Sequence, residues 1–351
     1  MVTITDIARK AGVSPNTVSR VINGKAEYVR PSFSSRAEKI RRMAEKMGYM
    51  PNATAQSMRS GRHGCISLLV GNVRWGSAVS GDLLIGMQKT LAGLGYNMML
   101  NILPDDMSEA EEKLPRIFKE SSVDGIMLGI MRSIPEWLES LIEDMKLPKV
   151  WIGTKKKTDC IHHDDFGGAY DLTRKLIRKG HSKIAYLDLL TSESALGSCH
   201  FSVLDRMNGY LKAMKEAGLP PHVVRSPKNL LFDQRSAYAR DNIFGRDMPT
   251  AVIAYDHYFA GRNFLCNAWK NGLAIPGDIS FATFADEETF EDDMKLSSMV
   301  PNHDFAGTAV KLLYDKISNG DKPHKPVIMP FEFIEGDTIA EPRRVNDQRK
   351  K

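Results

Sequence analysis

From Cys65 onward the chain alternates short apolar runs with longer amphipathic stretches, and this alternation restricts its fold more than any other feature. CISLLVGNV is followed by a helical apolar period near 81–94, YNMMLNIL by one over 108–120 and VDGIMLGI by one over 134–145, after which KVWIG closes the series. Short, continuous apolar runs read as strands covered on both faces. Strands that alternate with helices pair in parallel, because a parallel pair needs a crossover of helix length. A second series begins after residue 160, with KIAYLDLL, NLLF, AVIAY and ISFATF as strands and helices near 166–180, 203–217, 234–244 and 257–272. Two such series predict two doubly wound α/β lobes. Ligands of these sheets sit at the carboxyl ends of the strands, here in the cleft between lobes.

The first 62 residues have a different character. They hold 12 Lys and Arg against 4 Asp and Glu, a balance of +8 in a chain whose total is +5, so the remainder carries −3. Basic charge gathered at one end suits a polyanion, since neutralised phosphates release counterions; the bland alternative is a solvated basic surface. Thr3 and Asp6 have the spacing of a capping box, and Ile7, Ala8 and Ala11 follow on one face of a short helix that stops at Gly12. Ser14 can cap a second helix and Pro15 suits its first position, with Val18, Val21 and Ile22 inward and Asn23-Gly24 at its end. Its outward set, Asn16, Thr17, Ser19 and Arg20, holds donors and acceptors suited to base edges and phosphates. A third helix from about Phe33 to Lys46 places Ile40, Met43, Ala44 and Met47 inward.

TITDIARKAGVSPNTVSRVINGK, followed by GYMPNATAQSMRSGR, closely resembles the headpiece of the lactose-repressor (LacI/GalR) family. Further marks of the resemblance are DDFGG and LIRKGHSKIAYL at 164–187, RMNGYLKAM at 206–214, GLAIPGDISFATFAD at 272–286, LSSM at 296–299 and MPFEFI at 329–334. The resemblance implies an all-α helix-turn-helix headpiece over 1–50, a hinge over 51–62 and a two-lobed, periplasmic-binding-protein-like core of two doubly wound parallel sheets over 63–345. It also implies three crossings between lobes, near Ile161, Glu291 and Pro323. Lobe 1 then takes in about 63–161 and 292–323, and lobe 2 about 162–291 and 324–340. Function follows the same likeness: a cytoplasmic homodimer that binds operator DNA, a repressor, with affinity set by a small effector, a sugar or sugar derivative.

Carried over by position, the resemblance implies that Pro15, Asn16 and Arg20 face base edges, Arg20 suiting a guanine, while Thr17, Ser19 and Asn23 hold phosphates. The hinge contributes Ala55 and Met58 to the minor groove. Met58 stands where the family usually has a Leu wedge, the alternative being that it packs against the core. In the core, Arg206 occupies the family's R-x-x-G-Y position, where it grips a ligand or else forms an interlobe ion pair. Trp75 and Phe232 follow strand ends and either stack on a ligand or anchor packing; Tyr255 and Asp286 complete the expected effector contacts. Several positions depart from the family. The connection RPSFSSRAEK is about three residues longer than usual, and Arg74-Trp75-Gly76-Ser77 replaces Asn-Pro-Phe-Phe in a longer loop. Ala285 stands where a ligand-binding Asp is common, and Tyr255 where an Asn is.

Other classes fit less well. There is no phosphate-binding G-x-x-x-x-G-K-[ST] and no nucleophile elbow, so no enzyme or cofactor is expected. His162-His163-Asp164-Asp165 is the one metal-like string, and neighbours on an extended segment point to opposite faces, so no metal is expected. Cys65, Cys160, Cys199 and Cys266 have no paired spacing. No apolar run is long enough to span a membrane, and charges stand where a signal peptide would be apolar. The altered pocket keeps a further reading open, a DNA-binding regulator whose core only dimerises or binds a protein partner.

Overall fold

The computed structural model describes residues 2–22, 31–49, 62–71, 79–104, 123–131, 134–245, 247–285, 288–291, 293–302 and 304–343. The chain divides into two compact units, Met1–His63 and Gly64–Lys351. In the first, α1 (Ile4–Ala11) starts at a reciprocal cap in which the Thr3 hydroxyl accepts from Asp6 N at 3.3 Å and the Asp6 carboxylate accepts from Thr3 N at 3.0 Å. Gly12 ends it at φ 65°, a left-handed conformation that favours glycine. Ser14 Oγ then accepts from Thr17 N at 3.2 Å and opens α2 (Pro15–Ile22). Helix α3 (Pro31–Lys46) begins slightly before the expected Phe33, at a proline suited to a first helical position. Ile7, Ala8, Val18, Val21, Ala37, Ile40 and Ala44 form the shared core, as the spacing of the apolar residues requires.

The second unit contains two six-stranded sheets. The first runs β2 (Asn97–Ile102), β1 (Cys65–Val70), β3 (Gly125–Gly129), β4 (Lys149–Ile152), β5 (Cys160–His163), β13 (Val327–Met329), with every pairing parallel. Helices α4 (Gly81–Gly93), α5 (Glu136–Glu143) and α10 (Phe305–Asn319) cover it, burying Met87, Leu138 and Leu313. The second sheet runs β7 (His222–Arg225), β6 (Ile184–Asp188), β8 (Ala251–Ala254), β9 (Ser280–Phe284), β12 (Ser297–Pro301), β14 (Phe331–Ile334), parallel except between β12 and β14. Its helices are α6 (Asp165–Arg178), α7 (Phe201–Glu216), α8 (Phe232–Ile243) and α9 (Arg262–Lys270). Two short strands, β10 (Phe290–Glu291) and β11 (Met294–Lys295), make a separate hairpin. Among the described residues no helix is long and apolar enough to cross a membrane.

Three expectations need correction. NLLF is not a strand: Asn229–Leu231 are irregular and Phe232 opens α8, while HVVR forms the edge strand β7. A run ending in arginine is a poor candidate for a buried strand, but Arg225 is neutralised by Asp188, whose Oδ2 lies 2.9 Å from its Nη2, with both side chains almost wholly buried. The second crossing follows β12, at Pro301–Phe305, so residues 293–301 belong with lobe 2 rather than lobe 1. The third lies at Pro330, between β13 and β14, so 324–329 stay with lobe 1. In sequence, Val327–Ile334 is one nearly unbroken apolar stretch, and only its pairing reveals that Pro330 divides it between two sheets. The helix expected over 108–120 lies outside the described residues.

Candidate functional site

Strands β4, β5, β8, β9 and β12 end, and helices α4, α6, α7 and α10 begin, around a cleft of about 310 Å³ between the two sheets' lobes. The parallel strands bring their carboxyl ends to it, which gathers side chains from distant parts of the chain. Arg206 lies on the second-lobe wall, where its Nε donates to Asp165 Oδ1 at 2.7 Å and its Nη1 to Tyr255 O at 2.6 Å. The guanidinium covers the Phe284 ring at 3.9 Å and lies 4.9 Å from the Tyr255 ring. The spacing R-x-x-G has a structural cause: a Cβ at Gly209 would lie 2.3 Å from Phe166 O and 2.9 Å from Tyr170 N. Glycine there lets α7 press against α6, and Arg206, one turn earlier, reaches Asp165. Both partners sit on second-lobe helices, so the pair is within one lobe rather than between two, and it still faces the cleft.

Around this pair the polar groups are largely buried. Tyr255 exchanges a 2.8 Å hydrogen bond with Ser202, and burial pushes its phenol up to about 12. Asp256 caps the turn after β8 by accepting from Phe259 N at 2.6 Å and Ala260 N at 3.3 Å, yet burial pushes its carboxyl up to about 6. His163, the last residue of β5, stacks on Phe305 at 4.3 Å and lies 4.9 Å from Phe331; desolvation brings its imidazole down to about 4. His200 contacts Gly153 O through Nε2 at 2.6 Å and Ser202 Oγ through Nδ1 at 2.8 Å, and burial also lowers its basicity. The metal-like string is dispersed among separate tasks. His162 Nδ1 meets His163 O, Asp164 caps α6 through Gly167 N, and Asp165 holds Arg206.

In the first unit, α2 presents Pro15, Asn16 and Arg20 as exposed side chains, with Thr17 and Ser19 half-buried. Thr17 Oγ1 lies 2.9 Å from Ser14 Oγ, which holds the start of the helix. Residues 3–52 match bacterial regulatory proteins of the lacI family, and residues 173–339 match a periplasmic binding protein-like domain. The chain belongs to the LacI family of bacterial regulatory proteins. As a LacI-family protein it is a DNA-binding transcription regulator that responds to a small effector, and not an enzyme. It is 27% identical over 350 residues to the HTH-type transcriptional repressor PurR of Vibrio atlanticus (strain LGP32), an alignment covering 97% of this chain and 99% of that protein. It is likewise 27% identical to the HTH-type transcriptional regulator RegA of Clostridium saccharobutylicum, over 95% of this chain and 98% of RegA. Its fold is similar to that of the lac repressor dimer bound to operator and the anti-inducer ONPF, with a TM-score of 0.74 at 18% identity, covering 97% of this chain and 99% of that one. The regulator CelR in its cellobiose complex gives a TM-score of 0.64 at 21% identity, over 97% and 100% of the two chains.

Of the effector contacts expected in this LacI-family chain, Arg206 and Tyr255 come together at the cleft. Trp75 and Asp286 lie outside the described residues, as do Asn23, Ala55 and Met58, and the Phe232 side chain lies outside them too. Sequence reasoning missed Asp165, His163, Phe201, Asp256 and Phe305 as lining residues. The available signal was position: each of these residues ends a strand, starts a helix or, for Asp256, caps the turn after a strand on the ligand side of a parallel sheet.

Proposed function

We propose that this LacI-family regulator acts in the cytoplasm as a homodimeric repressor on a roughly palindromic operator, and that a small sugar or sugar derivative binding between the lobes changes its operator affinity. The observation that carries the ligand reading is the lining of the cleft. A buried guanidinium and carboxylates stand beside the Phe201, Phe305 and Phe331 rings. A sugar presents hydroxyls to such polar groups and an apolar C–H face to such rings, and its size suits about 310 Å³. Arg206 anchors that ligand through the edge of its guanidinium not engaged with Asp165. Lobe closure then alters how the headpieces are presented to DNA.

Two features support the dimer. Edge strand β2 exposes Met99, Leu100 and Ile102, and neighbouring α4 exposes Ile85, an apolar surface suited to a second copy. On DNA, Pro15, Asn16 and Arg20 read bases, Thr17, Ser19 and Asn23 hold phosphates, and Ala55 and Met58 enter the minor groove. Footprinting on sequences selected from random DNA tests the whole reading. Two inverted half-sites are expected, and Arg20→Ala should relax preference at one base pair with a loss of about 1–3 kcal/mol. A single unsymmetrical site bound by a monomer would sink it.

A further inference from the structure

We infer that the cleft selects an amine-bearing sugar and rejects phosphorylated or carboxylated ones, an inference that rests on the carbohydrate reading above. Among the described lining residues Arg206 is the only arginine and there is no lysine, and its charge is matched by Asp165 at 2.7 Å. A ligand phosphate that reached the free edge of the guanidinium would therefore find its charge already balanced, and would face the Asp82 and Asp256 carboxylates besides. The histidines do not substitute for a cation. His163 is held neutral by burial between two phenyl rings, and both ring nitrogens of His200 are engaged. His257, on the same wall, faces Glu291 at 2.9 Å.

Two carboxylates are left over. Asp256 on the second-lobe wall accepts only backbone N–H groups, and Asp82 in the first turn of α4 lines the opposite wall; neither has a cationic side-chain partner among the described residues. The Asp256 carboxyl, raised by burial and only partly eased by the Arg206 charge that Asp165 already pairs, gains from a further cation. A ligand ammonium is that cation. The aromatic rings still accept the sugar face, so the amine adds selectivity without replacing the stacking surface.

The test is calorimetric titration of the full chain with two matched sets: glucose, glucosamine and glucose 6-phosphate, and galactose, galactosamine and galactose 6-phosphate. At least one amino sugar should bind about 10-fold or more tighter than its neutral counterpart, the scale of one charge-assisted hydrogen bond, and the matching phosphate should not bind measurably. Asp256→Asn retains a good capping residue and should remove the amine's advantage; Asp82→Asn, on the exposed rim, is the second variant. Preference for a phosphate, equal binding of amine and neutral sugar, or an advantage that survives in both variants overturns the inference while leaving the carbohydrate reading intact. Binding of none of the six overturns the carbohydrate reading, and this inference with it.

Discussion

The two walls of the cleft differ in their ionic groups, which gather on the second lobe among the Phe201, Phe284 and Phe331 rings. On the second lobe Asp165, Arg206, Tyr255 and Asp256 are tied to one another or to backbone groups. On the first lobe Leu83, Gly86, Ile152, Phe305 and Ala306 dominate, with Ser80 and Asp82 nearer the rim. The difference follows from what each wall must withstand without ligand. A buried charge left without a partner costs several kcal/mol, so a polar wall has to satisfy itself before any ligand arrives. An apolar wall that opens loses only about 25 cal/mol for each Å² exposed. In this account the second lobe holds the ligand and the first lobe covers it.

The largest expected effect comes from breaking the polar wall's central pair. Asp165→Ala leaves Arg206 without its carboxylate at a site where the two side chains are 15% and 4% exposed for arginine and aspartate respectively. It should cost about 3–5 kcal/mol, whereas Leu83→Ala, half-buried on the opposite wall, should cost less than about 2 kcal/mol. Chemical denaturation of both variants checks this, and equal losses would erase the distinction between the walls.

The pH dependence is next in size. Asp256 is raised in the folded state from 3.8 to about 6, so its contribution to stability is fully present below about 4 and is lost as pH rises through about 6. Asp256→Asn should therefore gain stability relative to the parent protein across that window, on the order of 2–3 kcal/mol. His163 works in the opposite sense. Lowered by burial from 6.5 to about 4, with Asp165, Arg206 and His162 facing it, it stabilises above 6.5 and loses that contribution as pH falls through about 4. Denaturation curves at several pH values compare the two, and a flat Asp256→Asn difference would remove the carboxyl's special status.

The smallest effect concerns the helices behind each wall. Gly209→Ala would press a methyl group against backbone atoms of α6, while Gly86→Ala would place one 2.8 Å from the Ala306 side chain of α10. Overpacking of this kind costs about 1–3 kcal/mol, and the loss should be greater at Gly209 because backbone yields less than a methyl group. Gly209→Ala should also weaken ligand binding by moving Arg206 from Asp165. Melting temperatures and calorimetry on both variants would show whether the two lobes differ in this respect.

Legibility in the sequence followed the distance between interacting groups. The headpiece was readable because its caps are three residues apart and its core repeats on the helical period, as with Thr3 and Asp6 or Val18 and Val21. The two lobes were readable from strand and helix periods, and the resemblance to the LacI family supplied Arg206 and Tyr255. Asp165 was not, since its partner lies 41 residues away and it sits in a string that resembles a metal site. Strand β7 was hidden for a similar reason, as Arg225 looks unfit for a buried strand until Asp188 is placed beside it. The crossings at Pro301–Phe305 and Pro330 depend on which sheet a short strand joins, and no local period encodes that choice.

The central claim is that a ligand in the cleft controls DNA binding, and operator affinity measured on the full chain with and without a saturating cleft ligand tests it most directly. Fluorescence anisotropy with a selected operator should show a change of about 5- to 150-fold, the size of a coupling of about 1–3 kcal/mol between two sites. A ligand that calorimetry shows to fill the cleft, yet that leaves operator affinity unchanged, would contradict the account.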